Sequence, residues 1–136
     1  MDSGMYQSTR LDNGLTVGTA YLPAASSVAA GLWCRSGSRH ERRSENGVAH
    51  FVEHMVFKGT KRRSARRISM DIEGVGGELN AFTAEDHTCY HVWLPARWFK
   101  RGLRVLSDMY LNAELKERAF ENERQVIFEE IEMYRE

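Results

Sequence analysis

At 136 residues, 42% hydrophobic and 28% charged, the chain is long enough to bury one core and too short for two ordinary domains. Its formal net charge is zero, which argues against a dedicated nucleic-acid binder, whose affinity rests on neutralising phosphates. No apolar run approaches the roughly 18 residues of a membrane span, and the opening MDSGMYQSTRLDNG lacks the basic-then-apolar order of a leader. The expectations are therefore a cytoplasmic chain with no nucleic-acid and no membrane partner.

Charge is unevenly spread. Residues 1–68 hold 11 Lys and Arg against 5 Asp and Glu, whereas 69–136 hold 8 against 14. Lys58, Lys61, Arg62, Arg63, Arg66 and Arg67 form a basic cluster that reads as a solvated surface. Cys34 and Cys89 lack any CxxC spacing and read as buried free thiols.

Along the chain, TRLDNGLTVGTAYLP predicts a hairpin turning at Asn13-Gly14. Ser26 to Arg39 mixes small and apolar residues and ends in a Gly/Ser turn, which predicts a buried strand. Asn46 is placed to cap a helix from Gly47 to Lys58. A second helix over Ala65 to Glu73 sets Ala65, Ile68 and Ile72 on one face, and Gly74, Gly76 and Gly77 stop it.

ELNAFTAEDHTCYHVWLP then reads as two strands around an Ala84–His87 turn, the second alternating Cys89, His91 and Trp93 against Tyr90, Val92 and Leu94. Pro95 suits the first turn of a third helix, with Phe99, Leu103, Leu106 and Tyr110 at helical spacing. A fourth helix from Glu117 carries Phe120, Ile127, Ile131 and Tyr134 on one stripe. The fold class expected is α+β: a mainly antiparallel sheet with helices packed on one face.

Chemistry concentrates in GVAHFVEHMVFKGT, Gly47 to Thr60. Residues at i and i+4 of a helix project from one face about one turn apart, so His50 and His54 can converge on one ion. Glu53 lies beside that face, close enough to reach a water next to the same ion. This is H-x-x-E-H, the inverted order of the HExxH zinc signature. The composition yields such a triplet by chance about 0.02 times in a chain of this length. Burying three ionisable groups without a partner would cost several kcal/mol, which disfavours a merely apolar core helix.

A catalytic zinc needs a third protein ligand and an open fourth position. In FENERQVIFEEIEMYRE, Glu123 and Glu130 border the apolar stripe of the last helix, while Glu114, Glu117, Glu121 and Glu132 read as a solvated face. Spacing alone does not choose between Glu123 and Glu130. His40, His87 and His91 lack the close helical spacing and are read as surface or strand residues.

GVAHFVEHMVFKGT, GGELNAFTAEDHTCY and ENERQVIFEEI, in that order and at these separations, resemble the pitrilysin or insulinase-type zinc metallopeptidases over nearly the whole chain. The resemblance implies one zinc ion per chain held by His50, His54 and Glu130, with Glu53 as the base. Glu123 then matches an acidic position supporting a ligand histidine, and Asn80, Ala81 and Phe82 match substrate-binding positions. It further implies that the chain is part of one half of a clamshell of homologous halves, and that a second half supplies an Arg/Tyr pair facing the zinc. The expectation is thus a single, truncated N-terminal metallopeptidase domain over residues 1–136. It would need a missing C-terminal half or a partner subunit, and its substrate would be an extended or unfolded peptide. Two other readings compete: a non-catalytic, partner-dependent peptide-binding or assembly subunit of the same fold, and a small structural domain whose histidines never meet a metal.

Overall fold

The computed structural model describes residues 6–133. A hairpin of β1 (Tyr6–Arg10) and β2 (Thr16–Ala20) turns at the predicted Asn-Gly, where Gly14 takes φ 87°. Both strands are exposed throughout and form a sheet of their own. The main sheet is antiparallel in the order β3-β5-β4, from β3 (Ser27–Cys34), β4 (Glu78–Thr83) and β5 (Thr88–Pro95). Among the described residues there are four α-helices: α1 (Val48–Val56), α2 (Ala65–Glu73), α3 (Phe99–Asn112) and α4 (Glu117–Met133). None is long and apolar enough to cross a membrane.

The predicted α+β class holds, with the helices gathered on one sheet face. Alternation in β5 decides this: Tyr90, Val92 and Leu94 turn inward and are nearly fully buried, while Trp93 is exposed. They pack against Val56 of α1, Ile68 and Ile72 of α2, and Val105, Leu106 and Met109 of α3. β3 is half-buried rather than buried, because only Val28, Ala30 and Leu32 face this core, and it stops at Cys34. Cys34 and Cys89 are both free, the former half-buried and the latter buried.

Helix α2 spans the predicted residues, with Ser64 as its cap: its side chain accepts from the Arg67 amide. Other expectations fail for definable reasons. Pro95 closes β5 instead of opening a helix, and a short 3-10 turn, Ala96–Trp98, intervenes before α3. The buried face of α3 is Gly102, Val105, Leu106, Asp108 and Met109, whereas Phe99, Leu103 and Tyr110 are exposed. Gly102 sets that phase: a Cβ there would lie 2.9 Å from Leu94 Cδ2 and 3.2 Å from Val92 Cγ2, so α3 rests directly on β5. On α4, Ile127 is buried, but Phe120 and Ile131 are exposed, and Tyr134 lies outside the described residues.

Helix α1 ends at Val56 and is capped by Gly47 at φ 94°, not by Asn46, and no side chain of the cap residue closes its first turn. The carboxylate of Glu41 does so from upstream, accepting the Gly47 amide at 2.7 Å and the Ala49 amide at 2.6 Å.

The basic cluster is only partly a solvated surface. Arg63 pairs with Asp71 and Asp108, Arg67 with Asp71, and Lys58 with Glu123. Asp108 also accepts from the Thr60 hydroxyl and the Asn112 amide, so these charges join the segment before α2 to α3.

Candidate metal centre

Two helices build the centre. Phe51 of α1 packs on Phe120 of α4 with ring centroids 4.5 Å apart, and buried Ile127 lies about two turns further along α4. This packing brings the HxxEH face of α1 against the carboxylates of α4. His50 Nε2 and His54 Nε2 lie 3.0 Å apart, and Glu130 Oε2 is 3.7 Å from the first and 3.6 Å from the second. Among the described residues these three are the group able to hold a metal ion.

The spacing suits zinc. Bonds of about 2.0–2.1 Å at tetrahedral angles place neighbouring ligand atoms about 3.3–3.4 Å apart, and the three separations here bracket that value. Two imidazole nitrogens and one carboxylate oxygen are also the donor set of a catalytic rather than a closed structural site. The three side chains keep 21–34% exposure, so water and a substrate can reach the point where they converge.

Glu123 holds His54 from behind. Its Oε1 is 2.9 Å from His54 Nδ1 and its Oε2 is 2.5 Å from Lys58 Nζ. A proton on Nδ1 donated to this carboxylate leaves the Nε2 lone pair facing His50 and Glu130, which fixes the tautomer a metal requires. Burial works against the charge on Glu123, yet Lys58 and His54 outweigh it and hold its carboxyl below the usual range. Seven residues of α4, a backbone rise of about 10.5 Å, lie between Glu123 behind the ring and Glu130 in front of it.

Glu53 is nearly buried at 9% exposure and accepts from Thr83 Oγ1 at 2.5 Å. Thr83 is the last residue of β4, and α1 packs on that strand, so the edge strand ends against the candidate base. Burial and the charge of Glu53 together push the Tyr90 phenol above its ordinary range, keeping it protonated.

Asn80, Ala81 and Phe82 sit on β4, whose outer edge is free among the described residues. Asn80 is a strand residue, and its Oδ1 accepts from the Ala81 amide at 2.8 Å. Phe82 does not belong to the core. It is 42% exposed on the sheet face away from the helices, edge-on to Trp33 and His87.

His40 is exposed, His87 pairs with Asp86, and His91 lies near Phe82 on that same open face; none joins the cluster. Sequence reading missed Thr83, Lys58 and Glu41. The first two meet the site only through tertiary packing, and Glu41 carries no local capping signal because it reaches α1 from six and eight residues away.

Comparison with known proteins points to one family. The family model described as Insulinase (Peptidase family M16) matches residues 16–136. The chain is 44% identical over 126 residues to the mitochondrial-processing peptidase subunit beta of Blastocladiella emersonii, covering 93% of this chain and 27% of that protein. It is 41% identical over 122 residues to an uncharacterized zinc protease of Bacillus subtilis, covering 90% and 30%. Among solved structures, a protease from Helicobacter pylori superposes with a TM-score of 0.86 at 32% identity, over 92% of this chain and 30% of that one. The periplasmic protease PqqL from Escherichia coli gives 0.87 at 31%, over 97% and 16%. The chain thus spans less than a third of the length of each of these proteins.

Proposed function

This chain belongs to the insulinase family of peptidases, family M16, and from that premise we propose that it is a zinc-dependent endopeptidase region acting on extended peptides. One observation carries the reading: donor atoms of His50, His54 and Glu130 converge from two separate helices at tetrahedral ligand spacing. His50, His54 and Glu130 would hold the ion, with Glu123 orienting His54. A zinc ion there would supply Lewis acidity, to polarise a carbonyl and to lower the pKa of water toward about 7.

The remaining chemistry falls to the chain. Glu53 takes the proton of the attacking water and passes it to the departing amine. The Thr83 hydroxyl donates to one oxygen of Glu53 and so fixes that carboxylate in place. The free edge of β4 accepts an extended peptide by backbone hydrogen bonds along Asn80, Ala81 and Phe82. An incoming strand would compete with the Asn80 side chain for the Ala81 amide. Because β4 ends at Thr83, a peptide laid along it runs toward Glu53.

A second reading, a partner-dependent or non-catalytic peptide-binding subunit, is favoured by one fact: a relative 44% identical over 126 residues is itself named as a subunit. Hydrolysis of an unstructured peptide, with and without a chelator, on this chain and on a version extended to the relatives' length separates the two. Chelator-sensitive cleavage by this chain supports the peptidase region. Cleavage by the extended version alone supports partner dependence, and zinc binding without cleavage by either supports the non-catalytic subunit.

A further inference from the structure

We propose that Glu41 is a positioning residue for the metal centre, gripping the first turn of α1 so that His50 stays in register with His54 and Glu130. The role rests on the metal-binding reading above. The need for such a grip comes from the helix itself. With nine residues α1 is too short to be stable alone, and its first four amides have no partner within the helix. Gly47 at the cap offers no side chain to satisfy them and, at φ 94°, favours no single entry path.

The two histidines differ in how they are held. His54 is in the last turn and is tied to Glu123 of α4. His50 is the third helical residue, inside the turn that would fray first, and among the described residues its Nε2 meets only His54 and Glu130. Glu41 acts on that turn. Its two oxygens take the amides of Gly47 and Ala49, the residues flanking Val48 just before His50. A carboxylate there also opposes the positive end of the helix dipole. The segment carrying Glu41 is itself braced, since the Arg39 amide donates to the Glu85 carbonyl in the β4–β5 turn. The centre is thereby pinned by a carboxylate at each end of α1: Glu123 behind His54, and Glu41 beneath His50.

The test compares the parent chain with Glu41→Ala, Glu41→Gln and, as a neighbouring acidic control, Glu45→Ala. Amide hydrogen exchange is read on the metal-free chains and affinity is read by titration with zinc chloride. Glu41→Ala should speed exchange at Gly47 and Ala49 and weaken zinc binding by about tenfold, the scale of a lost helix cap, with the amides of β5 unaffected. Glu41→Gln keeps one acceptor and should fall between it and the parent, and Glu45→Ala should match the parent. Zinc affinity within twofold of the parent in Glu41→Ala would overturn the proposal, as would loss of protection spread evenly over the chain. If the parent itself bound no zinc, the metal reading and this role would fall together, while unchanged exchange at Gly47 and Ala49 would remove the grip on its own account.

Discussion

His54 is held between two carboxylates of one helix: Glu123 lies 2.9 Å from its Nδ1 and Glu130 lies 3.6 Å from its Nε2. The first orients the ring and the second shares its open side, so the two acidic positions that sequence spacing leaves equivalent have different work. Removing the rear contact should loosen the site without deleting a ligand. Glu123→Ala is expected to weaken zinc binding 10- to 100-fold, the usual effect of losing a ligand's hydrogen-bond partner. Glu123→Gln, which keeps one acceptor for Nδ1–H, should cost less. Competition against a zinc-chelating dye measures both, and equal, negligible losses would refute the assignment.

Glu53→Gln preserves shape and the Thr83 contact but removes the base. Zinc content should remain that of the parent, and the chelator-sensitive peptide cleavage of the same chain should fall by about 10²- to 10⁴-fold. Turnover at the parent rate in this variant would mean that the proton moves through another group.

Asp108 links the segment before α2 to α3, and its titration makes a stability prediction. Burial opposes its charge, but hydrogen bonds from Thr60, Arg63 and Asn112 prevail and hold the carboxyl below the usual range. A carboxyl depressed on folding stabilises the native state above its unfolded value of about 3.9, and that contribution is lost as pH falls through the lower, folded value. Asp108→Asn should therefore cost about 1–3 kcal/mol in urea unfolding at pH 7, and progressively less below about pH 4. A cost that grew on acidification would reverse the sign argued here.

Close packing of α3 on β5 predicts intolerance at Gly102. A methyl group there meets both Leu94 and Val92, and overpacking of this kind costs about 1–3 kcal/mol. Gly102→Ala should lower the unfolding midpoint, whereas Leu103→Ala, on the exposed side of the same helix, should change it little. Equal effects would imply that α3 sits in another phase.

These positions also show what was legible in the sequence. β4, β5 and α2 follow from local pattern alone: alternation in TCYHVWLP, an Ala84–His87 turn, an Ile68/Ile72 face and a glycine stop. The HxxEH triplet was equally plain, because its three ionisable groups are compressed into one helical turn. The phase of α3 was not. Its contact face is made of a glycine, a paired aspartate and medium-sized residues, while its largest apolar side chains point outward, so counting bulk misplaces the stripe. The capping of α1 was hidden for a different reason. Glu41 acts across an intervening turn, and no short-range rule assigns a carboxylate to amides six and eight residues on. The division of labour between Glu123 and Glu130 likewise required the packing of Phe51 on Phe120, which fixes how α4 slides along α1.

The central claim is that His50, His54 and Glu130 form one zinc site. Zinc bound per chain after exhaustive dialysis, measured side by side on the parent and on Glu130→Gln, tests it most directly. One equivalent on the parent and a small fraction of that on the variant is the predicted result. A parent chain free of zinc, or a variant retaining a full equivalent, would contradict it.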